Sequence, residues 1–389
     1  MPEPVGQRRL RLAFIAPGNS IHTRRWVEHF TAAGHDVFLV SYGPLLERPP
    51  GVARVLELDR LSSRGRGISR YVAFALAAWR TRRDVRRFVP DIVHAHFLTG
   101  PGWLGLIAGS RPLVLTAWGS DVLVDTRRPY VRLLHRLALA RATCVTCDAE
   151  AVAIRLAELS PHVDIEKIGW GVDLDWFSPG AADHALRDEL ALPVERFVVL
   201  AIRGLRELQN PLVILQAFAR LRALGHDAVL ALKLGPHEQD VPHGVAEEAR
   251  RLGVTDDVRF VPQLPHERLV DLYRLSDVCV SVPSSDGTSV ALLEVMATGR
   301  PVVVSDIPAN REWVTDSSSG LVVPPGDAAA LAGALVRLVG SPDERAAYGS
   351  AARGRVEAGA SAEGQMLLAE ALYRSVAGAN RSPRAVGRD

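Results

Sequence analysis

The sequence lacks several features that would assign it to a specialised class of protein. Among 389 residues there are three cysteines, and Lys167 and Lys233 are the only lysines, so arginine supplies nearly all of the positive charge. The 46 basic and 44 acidic residues leave a formal net charge of +2, which gives no overall attraction to nucleic acid. No apolar run reaches the roughly 18 residues that a membrane-spanning helix requires. The basic N-terminus leads directly into a short strand, which is too short for a secretory signal. We therefore expect a cytoplasmic, globular protein.

The cysteines do not form a recognisable metal or redox motif. Cys144 and Cys147 make a single C-x-x-C in a short apolar run, and Cys279 stands apart in another such run. Without a second pair or a nearby histidine, this arrangement is more typical of small buried side chains than of zinc ligands. We therefore predict no metal site at these positions.

Short apolar runs, separated by segments with helical spacing, form two series along the chain. Five runs lie in the first half and six in the second half, and we predict each of them to be a strand. They cover residues 10–17, 35–43, 91–97, 112–119, 143–148, 196–204, 228–235, 258–263, 277–284, 300–306 and 320–325. Buried runs that alternate with helices are typical of parallel sheets built from βαβ units. The sequence thus predicts an α/β protein with two doubly wound, Rossmann-like domains that face each other across a cleft, joined near residues 167–180.

The stretch "SSDGTSVALLEVMATGRPVVVSD", residues 284–306, surrounds a tight turn with two acids. We predict that it leaves a strand and enters a helix whose N-cap is Thr288 or Ser289 and which ends before Gly299. The first turn of a helix carries unpaired N–H groups and a partial positive charge, so it can bind an anion. Gly287 would let such a ligand approach the backbone closely.

The two acids of this stretch indicate which chemical groups lie on either side of the bound anion. The Glu294 side chain leans back toward the same turn, and its carboxylate can accept from a pair of neighbouring hydroxyls. Asp286, on the other side of the turn, could bind the hydroxyls of a second group. An anion between two polyols describes a nucleotide sugar. The alternative is that Asp286 is a capping acid, stabilising by about 0.3–1 kcal/mol, and that Glu294 is a solvated helix residue.

The same stretch resembles the signature of the family 4 glycosyltransferases, in which an acid, seven residues and a glutamate bracket the donor-binding turn. Similar segments are "DIPANREWV", "GLVVPPGD", "GWGVDLDWFSPG", "HTRRWVEHFTAAGHDVFLVS" and "PDIVHAHF". The resemblance implies the two-domain glycosyltransferase B (GT-B) architecture, a nucleoside-diphosphate sugar as co-substrate, no metal, and retention of the anomeric configuration. It assigns acceptor binding to residues 1–168 and donor binding to 169–360. We further expect a helix over 361–378 that packs back toward the N-terminal domain, and a flexible tail over 379–389.

The resemblance implies roles for the residues of the second domain. Glu294 would bind the donor ribose, and Asp286, which replaces the glutamate of many members, would bind hydroxyls of the transferred sugar. The turn residues Gly287, Thr288 and Ser289 would contact the diphosphate or the sugar.

A cationic segment, "AIRGLRELQNP", supplies Arg203 at the place of the family's phosphate-binding arginine. The lysine that usually follows is missing, and we take Arg206 as its substitute, because guanidinium groups bind phosphate oxygens in pairs. Alternatively, Arg206 is a surface residue at the start of a helix.

The resemblance also implies roles for residues of the first domain. His96 would hydrogen-bond to the transferred sugar near the reacting centre, whereas we expect His94 to lie on the opposite strand face and pack within the domain. Gly18 corresponds to a glycine loop that lets phosphate or acceptor approach. Trp118 and Asp121 are assigned to the acceptor side, although Asp121 could instead cap the next helix.

Other interpretations of these patterns are weaker. Asp173 and Asp175 spell the D-x-D of metal-binding glycosyltransferases, but they lie at the predicted domain junction rather than beside the donor turn. Neither half contains the G-x-G-x-x-G of dinucleotide-binding proteins, which argues against an oxidoreductase. Residues 64–88 combine an apolar centre with many arginines, so they form either a basic helix on anionic lipid or an ordinary crossover helix.

We therefore expect a retaining, metal-independent hexosyltransferase with Asp286, His96 and Arg203 as its catalytic residues. The donor would be linked to UDP or GDP, and the acceptor would be a polysaccharide or lipid intermediate or a small metabolite. The alternatives are a nucleotide-sugar epimerase of the same architecture and a non-catalytic protein that binds sugar nucleotides.

Overall fold

The computed structural model describes residues 8–58, 68–109, 112–235, 238 and 240–379. The chain divides into two compact units. Unit 1 comprises Met1–Gly169 and Gln365–Asp389, and unit 2 comprises Trp170–Gly364. The binding roles assigned to the two predicted domains stay predictions, and the predicted tail lies outside the described residues from residue 380 onward.

Unit 1 is built around a parallel sheet that has seven strands in the described part of the chain, in the order β3-β2-β1-β4-β5-β6-β7. The strands are β1 (Arg11–Ala16), β2 (Asp36–Ser41), β3 (Arg54–Glu57), β4 (Ile92–His96), β5 (Leu113–Thr116), β6 (Cys144–Cys147) and β7 (Ile165–Lys167). The five predicted runs are all strands. The two edge strands β3 and β7 were not predicted, because most of their side chains are at least partly exposed and they contain no apolar run.

Helices connect these strands and cover the sheet. They are α1 (Ile21–Ala32), α2 (Ile68–Phe88), α3 (Trp103–Ala108), α4 (Ser120–Leu123), α5 (Pro129–Leu139) and α6 (Glu150–Leu159). All three cysteines of the chain are buried with free thiols, as the sequence predicted for small apolar side chains.

Unit 2 holds a second parallel sheet, with six strands among the described residues, in the order β10-β9-β8-β11-β12-β13. The strands are β8 (Phe197–Ala201), β9 (Ala228–Lys233), β10 (Val258–Val261), β11 (Val278–Ser281), β12 (Val302–Ser305) and β13 (Leu321–Val323). The helices are α7 (His184–Glu189), α8 (Pro211–Ala223), α9 (His243–Arg251), α10 (Leu269–Arg274), α11 (Val290–Ala297), α12 (Pro308–Arg311), α13 (Ala328–Gly340) and α14 (Pro342–Gly359).

The central strand β8 shows why these runs are apolar throughout. Val198 and Leu200 pack into a cluster with residues of α10 and α11, whereas Val199 and Ala201 pack into a second cluster with residues of α8. Successive side chains of a strand point to opposite faces, so helices on both faces require apolar residues at every position. The prediction of two doubly wound parallel α/β sheets is confirmed.

The last helix, α15 (Ala362–Ala379), joins unit 1 from Gln365 onward. Its Tyr373 ring stacks on Phe30 of α1, with ring centroids 4.5 Å apart. Its Glu370 carboxylate lies 2.9 Å from the Nε2 atom of His29, also on α1. These contacts confirm that the C-terminal helix packs against the N-terminal part of the chain.

Candidate active site

The candidate site of unit 2 lies where two central strands end. Strands β8 and β11 are adjacent and parallel, with Ala201 opposite Val280. The strand order reverses at this point, since β9 lies on one side of β8 and β11 on the other. Ligands of doubly wound sheets bind beyond the carboxyl ends of the strands at such a reversal. The segments that leave these two strands carry Arg203 and Asp286.

The Arg203 guanidinium connects three neighbouring side chains. Its Nη2 atom lies 2.8 Å from Oδ2 of Asp286. Its Nη1 atom donates to the Ser289 hydroxyl at 2.5 Å, and its Nε atom donates to Oε1 of Gln209 at 3.2 Å. The structure therefore brings two predicted site residues, Asp286 and Ser289, together around a third, Arg203.

Asp286 is close to a cation but keeps free acceptor capacity. Its Oδ2 atom is buried and has no hydrogen-bond donor in the described part of the chain, so the contact with Arg203 is ionic rather than directional. Burial raises the pKa of the Asp286 carboxyl, and the charge of Arg203, the Gly287 N–H and the charge of Arg206 oppose that rise. A ligand hydroxyl could donate to this oxygen.

Ser289 is the N-cap of α11, which decides between the two residues that the sequence left open. Its hydroxyl accepts from the backbone N–H of Leu292 at 3.3 Å while it also accepts from Arg203. Thr288 is buried beside it. At the other end of the helix Gly299 adopts a φ of +71°, the left-handed conformation expected of a residue just past a C-terminus.

Glu294 is not the solvated helix residue of the alternative interpretation, because only 3% of its surface is exposed. Its Oε1 atom lies 2.8 Å from Nε2 of His266, and Tyr273 donates its hydroxyl to Oε2 at 3.2 Å. An ionised carboxylate only accepts hydrogen bonds, so its natural ligand partners are hydroxyl donors. The ribose role of Glu294 stays a prediction.

Arg206 and Gln209 occupy the segment where the family lysine was expected. Arg206 is exposed and immediately precedes a single helical turn, Glu207–Gln209, which matches the alternative of a helix-start residue. Gln209 is 4% exposed and neutral. The phosphate-binding role of Arg206 is still a prediction, and Gln209 supplies no charge.

Three further residues of unit 2 reach this site and were missed by the sequence reasoning. His266 and Tyr273 contact Glu294 from the segment that follows β10. Lys233 ends β9, and its ammonium is close enough to Arg203 and Glu294 for their charges to affect its pKa. The sequence signal for Lys233 is the scarcity of lysine in this chain.

His96 ends β4 in unit 1, beside the reversal of strand order between β1 and β4. It is fully buried, and in the described part of the chain neither ring nitrogen has a hydrogen-bond partner. Burial lowers the pKa of His96 to about 3, and the nearby His22 adds to that shift. Buried polar atoms are usually satisfied, so these nitrogens are candidates for contact with a ligand.

The predicted orientation of His94 was wrong. The rings of His94 and His96 lie on the same face of β4, with centroids 4.4 Å apart, because residues two positions apart in a strand share a face. His94 does pack within unit 1, as expected. Its Nε2 atom lies 2.6 Å from the Thr116 hydroxyl, and its Nδ1 atom contacts the hydroxyl of Tyr373 on α15.

Asp121 is fully buried and holds two loops together. Its carboxylate accepts from the N–H of Leu98, at 2.7 Å, and from the N–H of Trp118, at 3.0 Å. Burial raises the pKa of Asp121 to about 7, although both N–H groups favour the charged form. These contacts support a structural role, and a contact with the acceptor stays a prediction.

Trp118 and Gly18 also lie at this end of the unit 1 sheet. The Trp118 ring meets the His22 ring edge to face at 5.5 Å, and His22, near the start of α1, was not predicted. A Cβ atom on Gly18 would lie 2.4 Å from the Ser41 hydroxyl and 2.3 Å from Leu45. Close packing against β2 therefore requires glycine there, and its role toward a ligand is untested.

Two further local features lie at Phe97 and at the D-x-D pattern. Phe97, directly after β4, adopts a φ of +77°, a strained conformation that often occurs at functional sites. Asp173 of the D-x-D pattern accepts from the N–H groups of Asp175 and Trp176, which is turn chemistry.

Comparison with known families matches both halves of the chain. Residues 183–355 match the family "Glycosyl transferases group 1", and residues 11–149 match "Glycosyl transferase 4-like". A D-inositol 3-phosphate glycosyltransferase of Saccharomonospora viridis is 33% identical over 334 residues, covering 80% of this chain and 77% of the relative. The chain belongs to the group 1 glycosyltransferases. This glycosyltransferase is also 33% identical to a D-inositol 3-phosphate glycosyltransferase of Kribbella flavida over 283 residues, which is 67% of the chain and 66% of that relative.

Solved structures show that the glycosyltransferase has the GT-B fold. It superposes on sucrose-phosphate synthase from Thermosynechococcus elongatus with a TM-score of 0.81 and 22% identity, covering 96% of this chain and 100% of the other. It superposes on Anabaena HepE in complex with UDP with a TM-score of 0.77 and 17% identity, covering 93% and 99%. The predicted family and fold are confirmed. Membership of this family favours a glycosyltransferase over the epimerase and the non-catalytic binding protein.

Proposed function

We propose that this glycosyltransferase is a metal-independent, retaining hexosyltransferase whose donor is bound by unit 2. The observation that carries the proposal is the cluster at the ends of β8 and β11, where Arg203 contacts both Asp286 and the N-cap Ser289. Glu294, on the same helix as that cap, adds a second buried carboxylate. A cation and a helix N-terminus between two carboxylates suit a diphosphate between two sugars.

Each chemical group of the donor has a complementary set of protein atoms in unit 2. The Glu294 carboxylate would accept the ribose hydroxyls. The Oδ2 atom of Asp286, which has no donor in the described part of the chain, would accept a hydroxyl of the hexose. Arg203 and the amide groups at the start of α11 would bind the diphosphate oxygens. Because Arg203 already holds Ser289 and Asp286 in place, the site would need little rearrangement to accept the donor.

The reaction would transfer the anomeric carbon between two oxygens on the same face of the sugar. The acceptor oxygen or nitrogen forms the new bond to this carbon while the bond to the diphosphate oxygen breaks. The acceptor proton passes to an oxygen of the departing diphosphate, which serves as the base. Arg203 and the N-terminus of α11 would stabilise the negative charge on the leaving group, an effect that usually dominates catalysis. These groups would do the work that a metal ion does in other glycosyltransferases.

The choice of donor and acceptor rests on relatives rather than on contacts in this chain. Structures similar in fold include Anabaena HepE in complex with UDP-glucose, so a UDP-hexose is the first donor to test, with GDP-hexoses next. Relatives named D-inositol 3-phosphate glycosyltransferase make that compound the first acceptor to test. We assign the acceptor to unit 1, with Trp118 near it and His96 toward the transferred sugar. Glycan, lipid and small-metabolite acceptors complete the panel.

A binding and turnover experiment tests the proposal. Nucleoside diphosphates and their sugars are titrated calorimetrically, and the best donor is then incubated with each acceptor, with and without EDTA. We expect tight binding of one nucleoside diphosphate and release of that product only when an acceptor is present, at the same rate in EDTA. Conversion of the donor without an acceptor would indicate an epimerase. Binding without release by any acceptor would indicate a non-catalytic protein.

We further propose a cytoplasmic enzyme that contacts the membrane surface. Among the described residues no helix is long and apolar enough to cross a bilayer. Helix α2, which contains most of the arginine-rich segment predicted above, exposes Tyr71 and Trp79, which are 78% and 57% accessible; residues 64–67 of that segment lie outside the described residues. Exposed aromatic side chains beside arginines suit an anionic lipid surface. Co-sedimentation with vesicles of anionic lipid should be lost in Trp79→Asp, whereas equal sedimentation of both proteins would reject membrane contact.

A further inference from the structure

The two lysines of this chain have different environments. Lys167 ends the edge strand β7 of unit 1, where its ammonium pairs with Glu150 at 3.1 Å and half of its side chain is exposed. Lys233 ends β9 in the interior of the unit 2 sheet. Every other basic residue among the 46 is arginine, so a surface ion pair needs no lysine here. A compact ammonium in a partly buried position at the end of a central strand is the exception that requires an explanation.

The register of the sheet places Lys233 beside the candidate site. Strand β9 lies between β8 and β10, and Leu232 is opposite Ala201, two residues before Arg203. Val229, Ala231 and Lys233 share one face of the strand, since they are two positions apart. Val229 and Ala231 pack in the cluster that contains residues of α10 and α11, so Lys233 stands on that side of the sheet at its carboxyl edge. Glu294 of α11 lies on the same side.

The Lys233 ammonium has charged residues near it but no close partner among the described residues. In the part of the chain that the structure describes, it forms no hydrogen bond and no ion pair within 4.0 Å. Burial and the charge of Arg203 lower the pKa of Lys233, while Glu294 and Glu238 raise it. Both carboxylates already have other donors.

The Glu238 carboxylate is already bound by two backbone N–H groups. Glu238 accepts from the N–H groups of Leu205, at 2.9 Å, and Gly235, at 2.6 Å, so it joins the segments that follow β8 and β9. This carboxylate therefore joins the backbone after β8 to the backbone after Lys233, and it forms no ion pair with Lys233 within 4.0 Å. Arg203 is paired with Asp286, whereas Lys233 has no carboxylate within 4.0 Å in the described part of the chain, so its ammonium can donate to an anionic ligand.

We propose that Lys233 binds the donor diphosphate, with its ammonium donating to a non-bridging phosphate oxygen beside Arg203. The proposal rests on the proposed function and gives the diphosphate a further cation beside Arg203, since in the 204–210 segment Gln209 is neutral and Arg206 is exposed. A cation from a neighbouring strand thus replaces one from the loop that follows Arg203. The competing role is structural, in which Lys233 only balances Glu294 and Glu238.

Calorimetry on lysine variants separates these roles. Lys233→Met removes the charge and keeps the apolar stem, and Lys167→Met is the matched control. We expect Lys233→Met to bind the preferred nucleoside diphosphate at least about tenfold more weakly than wild type, because a charge-assisted hydrogen bond is lost. Its affinity for the corresponding nucleoside, which has no phosphate, should be unchanged. Lys167→Met should match wild type for both ligands.

Two results would overturn the proposal. Lys233→Met could bind the nucleoside diphosphate as tightly as wild type, or it could lose affinity equally for the nucleoside and the nucleoside diphosphate. Either result would leave the proposed function intact if wild type binds the nucleoside diphosphate. A wild-type protein that binds none of the nucleoside diphosphates would instead reject the proposed function together with the role of Lys233.

A second measurement uses the wild-type fold and so does not depend on the folding of a variant. Reductive ¹³C-methylation keeps the lysine charge and labels only Lys167, Lys233 and the terminal amine. The Lys167→Met variant identifies the Lys167 signal, and the pH dependence distinguishes the terminal amine. We expect UDP, or GDP if it binds more tightly, to shift the Lys233 signal, and the nucleoside to leave it in place. An unshifted Lys233 signal at saturating nucleoside diphosphate would overturn the proposal.

Discussion

The Nη2 atom of Arg203 lies 2.8 Å from the Oδ2 atom of Asp286, although the two residues are far apart in the sequence. This ion pair joins the segment that follows β8 to the turn that begins α11. It places a phosphate-binding candidate and a sugar-binding candidate in direct contact at one edge of the sheet. The geometry also means that a change in either residue will affect the other, so their variants require readouts that separate binding from turnover.

Replacement of Arg203 should mainly reduce turnover. Arg203→Met removes the charge that would stabilise the leaving diphosphate, and loss of one such group costs on the order of 10²–10³ in kcat. Arg203→Lys should recover only part of this loss, because one ammonium cannot reproduce the fork that contacts Asp286, Ser289 and Gln209. Steady-state kinetics with the preferred donor measures both effects. Arg311→Met, at an exposed ion pair with Asp306, is the control, and a wild-type kcat in Arg203→Met would contradict the assignment.

Replacement of Glu294 should mainly weaken nucleotide binding. Glu294→Gln keeps the shape of the side chain but substitutes an amide donor for one acceptor oxygen, so it cannot accept both ribose hydroxyls. We expect about a tenfold loss of affinity for the nucleoside diphosphate and no change for inorganic pyrophosphate, measured by calorimetry. Glu189→Gln, at the exposed pair with Arg268, serves as the matched variant. Wild-type affinity for the nucleoside diphosphate in Glu294→Gln would refute the ribose role.

Asp286 should affect the transferred sugar and not the nucleotide. Asp286→Asn retains the size of the side chain and removes the negative charge beside Arg203. We expect the variant to bind the free nucleoside diphosphate at least as well as wild type, because repulsion of the phosphate falls. Its affinity for the intact sugar nucleotide should fall by about tenfold, since a hydroxyl contact to a carboxylate is lost. Equal losses for the two ligands would show that Asp286 supports the fold of the turn instead of the sugar.

Acid should destabilise unit 1 through its buried histidines. Burial lowers the pKa of His96 and His22 to about 3 and that of His135 to about 4, below the ordinary value of 6.5. Between those values the unfolded chain binds more protons than the folded one, so stability falls as the pH decreases from about 6.5. The loss is about 1.4 kcal/mol per pH unit for each histidine that stays neutral. Asp121, whose pKa is raised to about 7, has the opposite sign and offsets part of it.

Urea unfolding at pH 7.5, 6.0 and 5.0 measures this dependence. We expect the free energy of unfolding to be lower at pH 5.0 than at pH 6.0, because the histidine effect acts below about pH 6.5, and His135→Gln to reduce this difference. The signal of the unit 1 tryptophans, which are Trp26, Trp79, Trp103 and Trp118, should lose its native value first. A free energy of unfolding that is constant from pH 7.5 to 5.0 would contradict the prediction.

The strength of the local patterns decided which parts of the fold could be predicted. Doubly covered strands such as β8 need an apolar residue at every position, so their runs stand out in the sequence. Edge strands such as β3 and β7 bury few side chains and give no such signal. The error about His94 was one of geometry, since the period of a strand puts His94 and His96 on one face.

The sequence by itself determined the two series of buried strands, the helix start at Thr288 or Ser289, and the place of Arg203 directly beyond a central strand. These depend on local chemistry, namely apolar periodicity, capping and glycine conformation, which act between residues close in the chain. Only the tertiary structure decided that Lys233, His266 and Tyr273 join Arg203 and Glu294 at one sheet edge. Their segments are separated by helices, and strand order brings them together. That order depends on how the whole unit packs, so no local pattern contains it.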